Sequence, residues 1–210
     1  MSFKQLLSTR AAVFGLASTS FACLLGHFYG FWTMRDFACV VLLPATALLA
    51  YIAWATRRQS GGAATWIIEG ALGGIVAAVA YDLFRLPFVL NGYPLFKVFP
   101  EFGRMLMGAP GPEWLAQLLG WTYHFSNGAA LGIMLLTMLP RPTPRALFRG
   151  AVLWALVVEI ILLNTPYVAF FKIKLDFTTF LILTVSAHLV FGVVLGLWLQ
   201  RRLGRLSAVG

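Results

Sequence analysis

Six apolar stretches, each on the scale of a bilayer crossing, constrain this chain more than any other feature. A hydrocarbon core of ~30 Å needs roughly 20 helical residues. Windows of that kind run from Ala11 to Trp32, Phe37 to Ala55, Ala63 to Leu86, Trp114 to Leu139, Gly150 to Phe170 and Phe177 to Gln200. Lipid cannot satisfy backbone N–H and C=O groups, so such segments must be helices. The expectation is an all-α polytopic integral membrane protein, residues 1–210 forming one domain of six transmembrane helices with no soluble module. The first window runs too long for a signal sequence and offers no small-residue cleavage site. Composition agrees, because only 11% of residues are charged, against about a quarter in soluble domains.

The net charge of +9 is explained by where the basic residues fall. Lys4, Arg10, Arg57, Arg58, Arg141, Arg145, Arg149, Arg201, Arg202 and Arg205 occupy the N-terminal segment, the second and fourth connections and the C-terminal segment, none of which contains an acid. On the other side Arg35, Arg85, Lys97, Arg104, Lys172 and Lys174 are nearly balanced by Asp36, Asp82, Glu101, Glu113 and Asp176. Cytoplasmic segments carry the Lys and Arg excess, which predicts both termini inside. Anionic lipid head groups are then the partner of this charge, and nucleic acid is not. Trp32, Trp54, Trp66, Trp114, Trp154 and Trp198 near predicted helix ends fit interfacial anchoring. Cys23 and Cys39 lie in apolar windows and show no disulfide or zinc spacing.

The long connection from Pro87 to Glu113, "NGYPLFKVFPEFGRMLMGAPGPE" after its first residues, is rich in Phe and Met. It reads as an aromatic, non-cytoplasmic loop between the third and fourth helices that packs on the bundle or covers a site. In the fifth window Asn164, Thr165 and Pro166 predict a kink.

Ionisable residues inside a membrane are functional candidates by default. His124 lies ten residues into the fourth window, Glu159 nine into the fifth and His188 eleven into the sixth, so each reaches a depth of roughly 15 Å, the midplane. Two imidazoles and one carboxylate suit iron, zinc or manganese; they equally suit a proton relay or a closed hydrogen-bonded cluster. Without a partner, Glu159 at that depth needs a proton or a cation. His124 is followed by Gly128 and Gly132, and His188 by Gly192 and Gly196. Each set shares one helix face, which serves either close helix packing or a slot for haem b with His124 and His188 as axial ligands. The repeated spacing is also what duplication of a two-helix unit would leave. Nearer the outer interface, His27, Asp82 and Arg85 form a second expected polar cluster. Glu69, close to the inner end of the third window, reads as a snorkelling carboxylate or the start of a proton path to Glu159.

Several chemistries are excluded by their missing motifs: a phosphate-binding G-x-x-x-x-G-K-[ST] loop, the clustered histidines of membrane di-iron enzymes, and a G-x-S-x-G elbow. With "YHFSNGAALG", "AHLVFGVVLG" and the intervening "VLWALVVEI", the segment from about Ala63 to Gln200 resembles the YagU-like small bacterial multi-pass membrane proteins. The resemblance implies a bacterial inner-membrane location and no particular activity. The leading expectation is a midplane metal or haem site at His124, Glu159 and His188 serving redox or lipid-phase chemistry. The alternatives are a proton- or ion-coupled transporter, and a structural or assembly subunit associated with other membrane subunits or with copies of itself.

Overall fold

Proline and glycine punctuate the helices, and the apolar runs between them set their lengths. The computed structural model describes residues 3–59, 62–139 and 143–208, all helix and connection with no strand among them. Arg141 and the side chains of Lys4 and Arg205 lie outside the described residues. Helix α1 is Phe3–Phe28. A turn through Gly30, whose φ is 73°, leads to α2 (Met34–Phe37), capped by Thr33 Oγ1 accepting from the Asp36 N–H at 3.1 Å. The chain continues through a wide π turn, Ala38–Leu42, into α3 (Leu43–Thr56). Pro44 explains the widening, since its ring cannot donate and collides with the carbonyl four residues back in a regular helix.

Helix α4 spans Ala63–Leu90 and runs through Pro87 to an Asn91 cap, further than the Leu86 boundary expected from sequence. The aromatic connection is not an irregular loop throughout: Val98–Met107 form α5, with Val98, Phe99 and Phe102 buried. Gly103 and Gly120 allow it to lie on α6 (Glu113–Met138), because a Cβ at either would strike the Ala116 or Phe99 carbonyl. Helix α7 starts at Pro144 behind a Thr143 cap and stops at Leu163. Asn164 to Pro166 therefore end the helix instead of kinking it, and Tyr167–Phe170 follow as the short α8. The last helix, α9, is Phe177–Ala208. Asp176 begins it by accepting from the Thr179 N–H at 2.9 Å, a bond that holds its carboxyl below the usual range.

Among the described residues, five helices are long and apolar enough to cross a membrane: Thr9–Phe28, Met34–Thr56, Ala63–Leu90, Pro144–Leu163 and Phe177–Leu203. This is the architecture of a multi-pass membrane protein. The fourth expected window, now α6, is not among them, because Gln117, Thr122, His124, Ser126 and Asn127 dilute its N-terminal half. It is enclosed by α1, α4 and α5.

Glycines bring α4 and α6 into backbone contact. A Cβ on Gly74 would strike the Gly128 carbonyl, and one on Gly132 the Gly70 carbonyl. Gly192 and Gly196 similarly lie against Val152 and Phe148 of α7. Both histidine–glycine faces thus lie against neighbouring helices, the close packing that such glycines allow.

At one end of the bundle, Arg10 donates to the carbonyls of Leu136, Thr137 and Leu139 at 3.2, 3.3 and 3.0 Å and covers the Trp66 ring at 4.1 Å. It caps α6 with a cation where the helix dipole is negative. Arg10→Leu is expected to lower the unfolding free energy by about 2 kcal/mol, the value of charge-assisted bonds, as read from the SDS unfolding midpoint. An unchanged midpoint would mean that the cap contributes nothing.

Candidate functional site

The polar residues of the interior lie between two apolar clusters, one around Val13, Ile133, Leu147 and Leu195, the other around Cys23, Met34, Phe99 and Phe180. Helix α4 supplies Tyr81, Asp82 and Arg85; the four- and three-residue spacings place Tyr81 and Asp82 each beside Arg85. His124 comes from α6, Glu159 from α7 and His188 from α9.

The structure sorts these into two carboxylate–imidazole pairs. His124 Nε2 lies 2.8 Å from Asp82 Oδ2. His188 Nδ1 lies 2.9 Å from Glu159 Oε2 and equally 2.9 Å from the Thr184 carbonyl. The ring N–H is directed at the carbonyl, so the Glu159 contact has ion-pair distance without hydrogen-bond direction, and both Glu159 oxygens are buried without a hydrogen-bond donor. Glu159 is only 1% exposed. Tyr81 stands between the pairs, its ring centroid 6.1 Å from that of His124 and 5.1 Å from that of His188.

Arg85 is 5% exposed, 3.9 Å from Asp82, and donates to the Leu95 carbonyl at 3.0 Å. Its guanidinium sits 4.6, 5.0 and 5.4 Å from the ring centres of Tyr81, Phe96 and Phe99. The aromatic connection is therefore tied to α4 by the buried arginine, and Phe99 covers His124 with ring centroids 4.5 Å apart. Beside the two imidazoles and Arg85 is a cavity of about 110 Å³, walled largely by aromatic and aliphatic side chains.

The expected triad of His124, Glu159 and His188 is not assembled. Glu159 and His188 face one another while His124 is paired with Asp82, and among the described residues no group of three or more His, Cys, Asp or Glu is placed to hold a metal ion. Counting residues along each window predicts a common depth but not the rotation of the side chains about three different helix axes. The expected outer cluster is also divided: Asp82 and Arg85 are neighbours and join the midplane histidines, whereas His27 faces the Trp32 carbonyl at 3.3 Å and the edge of Phe170. Glu69 is held by Arg202 through two 3.0 Å bonds and belongs to the end of the bundle, not to a path toward Glu159. Sequence reasoning does not single out Tyr81, although "YDLFR" places it four residues before Arg85, on the same face. Asn127, which accepts from Ser20 Oγ at 2.6 Å, carried no comparable signal. Comparison with protein-family models, with curated proteins and with solved structures gives no match.

Proposed function

We propose that this chain is a proton-coupled transporter of the bacterial inner membrane, with Asp82–His124 and Glu159–His188 as its proton-binding groups. One observation carries the reading: the buried site holds two carboxylates against one guanidinium. His188 from α9 meets Glu159, Tyr81 from α4 and Tyr167 from α8 lie within electrostatic reach of it, and Asp82 and Arg85 of α4 flank Tyr81, with His124 beyond the tyrosine. If both imidazoles are neutral, one negative charge remains uncompensated in a region of low dielectric, where isolated charge is costly. Binding one proton balances it. Glu159 without a directed donor, next to an imidazole, is the place where that proton is held and released.

Infrared difference spectra of the detergent-purified protein between acid and neutral pH test this. The wild type is expected to show a protonated-carboxyl C=O band that Glu159→Gln removes. Identical spectra for the two would overturn the reading. So would a stoichiometric transition metal or a Soret band lost on substitution of His124 or His188, which would restore the metal or haem b alternative. Absence of all these signals leaves an assembly subunit whose histidines tie helices together.

The same proposal includes six crossings, with the Phe3 end of α1 and the Ala208 end of α9 in the cytoplasm. Three contacts support it. Arg10 of α1 meets the end of α6, Arg202 of α9 meets Glu69 near the start of α4, and Gln200 bonds the Pro144 carbonyl at the start of α7. These ends, together with Arg57 and Arg58 between α3 and α4, form one basic side of the bundle, which the Lys/Arg bias puts inside. In a cysteine-free background, Gln59→Cys is expected to resist an impermeant thiol reagent added to intact cells, while Gly111→Cys reacts. The reverse labelling, or equal reaction at both, would sink this topology.

A further inference from the structure

The cavity beside the two pairs is lined by groups whose hydrogen-bonding capacity the protein leaves unused. Arg85 lines the cavity, its guanidinium bonded through one terminal nitrogen to the Leu95 carbonyl. His124 uses Nε2 toward Asp82 and His188 uses Nδ1 toward Thr184; among the described residues nothing meets His124 Nδ1 or His188 Nε2. In the neutral rings those bonded nitrogens carry the hydrogens, so the two unused nitrogens are acceptors. The cavity thus offers two imidazole acceptors and a guanidinium donor, with Asn127, Tyr81 and Tyr167 also on its wall. Phe21, Phe99, Phe102, Phe191 and Leu131 supply apolar walls.

Charge narrows the class of ligand. An anion would add to a site that already has more carboxylate than guanidinium. A metal cation would find no carboxylate on the cavity wall, since neither Asp82 nor Glu159 lines it. What matches is a neutral molecule with a hydroxyl that donates to an imidazole and whose oxygen accepts from Arg85. The volume of about 110 Å³ is of the order of the roughly 150 Å³ apolar cavity known to take up benzene, which limits the buried part to about one ring. Access is from the side. Phe21 and Leu24 of α1 and Val158 and Leu162 of α7 flank the cavity, and α1 and α7 do not pack along one another. A ligand arriving between them comes from the lipid.

We infer that this cavity is a binding site for a neutral, lipid-soluble ring alcohol of the phenol or quinol class, its hydroxyl held by His124 or His188 and Arg85. Its alkyl portion extends between α1 and α7. The inference concerns binding alone and does not depend on proton uptake by Glu159, so the two proposals fail separately.

The test uses 4-hexylphenol and its methyl ether, which share the ring and chain but differ in the hydroxyl hydrogen. Equilibrium binding to the full chain in lipid nanodiscs is expected to saturate at one phenol per protein, with the ether about tenfold weaker, the equivalent of one hydrogen bond. His124→Leu or His188→Leu should abolish the preference for the phenol. Val158→Phe should weaken both compounds at least tenfold by filling the ring space. Leu131→Phe fills the same space from α6 and is read in its place if Val158→Phe does not fold. Non-saturating uptake equal to that of empty nanodiscs would overturn the inference, as would equal affinity for phenol and ether, or binding unaffected by both filling variants.

Discussion

Gly74→Val is expected to prevent recovery of a folded, monodisperse protein, with a loss of more than about 3 kcal/mol, beyond the usual cost of overpacking. The added carbons would have to occupy the position of the Gly128 carbonyl, and Ala129 Cα stands 3.0 Å from the first of them. The obstacle is helix backbone on both sides, so no side-chain rotation relieves it, and α4 must separate from α6. In lipid, helices associate through close packing because burial of apolar surface gives little advantage there. Separation therefore removes the main attraction between them. Gly15→Ala is the matched control: nothing lies within 4 Å of its Cβ position, and alanine favours a helix by about 1 kcal/mol. SDS unfolding midpoints read both variants. If Gly74→Val unfolds with the Gly15→Ala protein, the backbone contact between α4 and α6 does not exist.

Arg85→Met is expected to lower stability by about 3–5 kcal/mol, the cost of leaving buried charge unpaired, and to release the segment before α5 by removing the Leu95 bond. The 3.9 Å distance to Asp82 is at the limit of an ion pair, so what disappears is mainly the positive charge shared by the site. Combining Arg85→Met with Asp82→Asn is expected to recover most of the loss. That recovery, measured as the coupling in a double-mutant cycle, separates charge balance from packing. No recovery would show that the arginine matters through its contacts with Tyr81, Phe96 and Phe99.

Substituting these residues also shows which parts of the molecule could be read from linear order. The apolar windows, the Lys/Arg bias and the depth of His124, Glu159 and His188 depend on hydrophobicity and on rise per residue. Both are local properties, and α1, the α2–α3 span, α4 and α9 follow the predicted windows closely. Local chemistry misled where it had two outcomes. Pro166 suggested a kink but ended α7 at Leu163, and Pro87 suggested an end but left α4 running to Leu90. The Phe-rich connection concealed α5, because Gly103 becomes a packing residue only when Ala116 of α6 is opposite it.

Bilayer-length apolar helices carrying a few ionisable groups are legible in linear order, since lipid imposes helix length and punishes charge wherever the helices lie. Which groups meet follows from how the helices pack. Pairing depends on the rotation and crossing of each helix, and here the glycine contact of α4 with α6 brings Asp82 to His124, forty-two positions away. That same contact occupies the bare faces beside the histidines, while α7 and α9 close on Glu159 and His188. A site expected as one triad thereby becomes two pairs with Tyr81 between them.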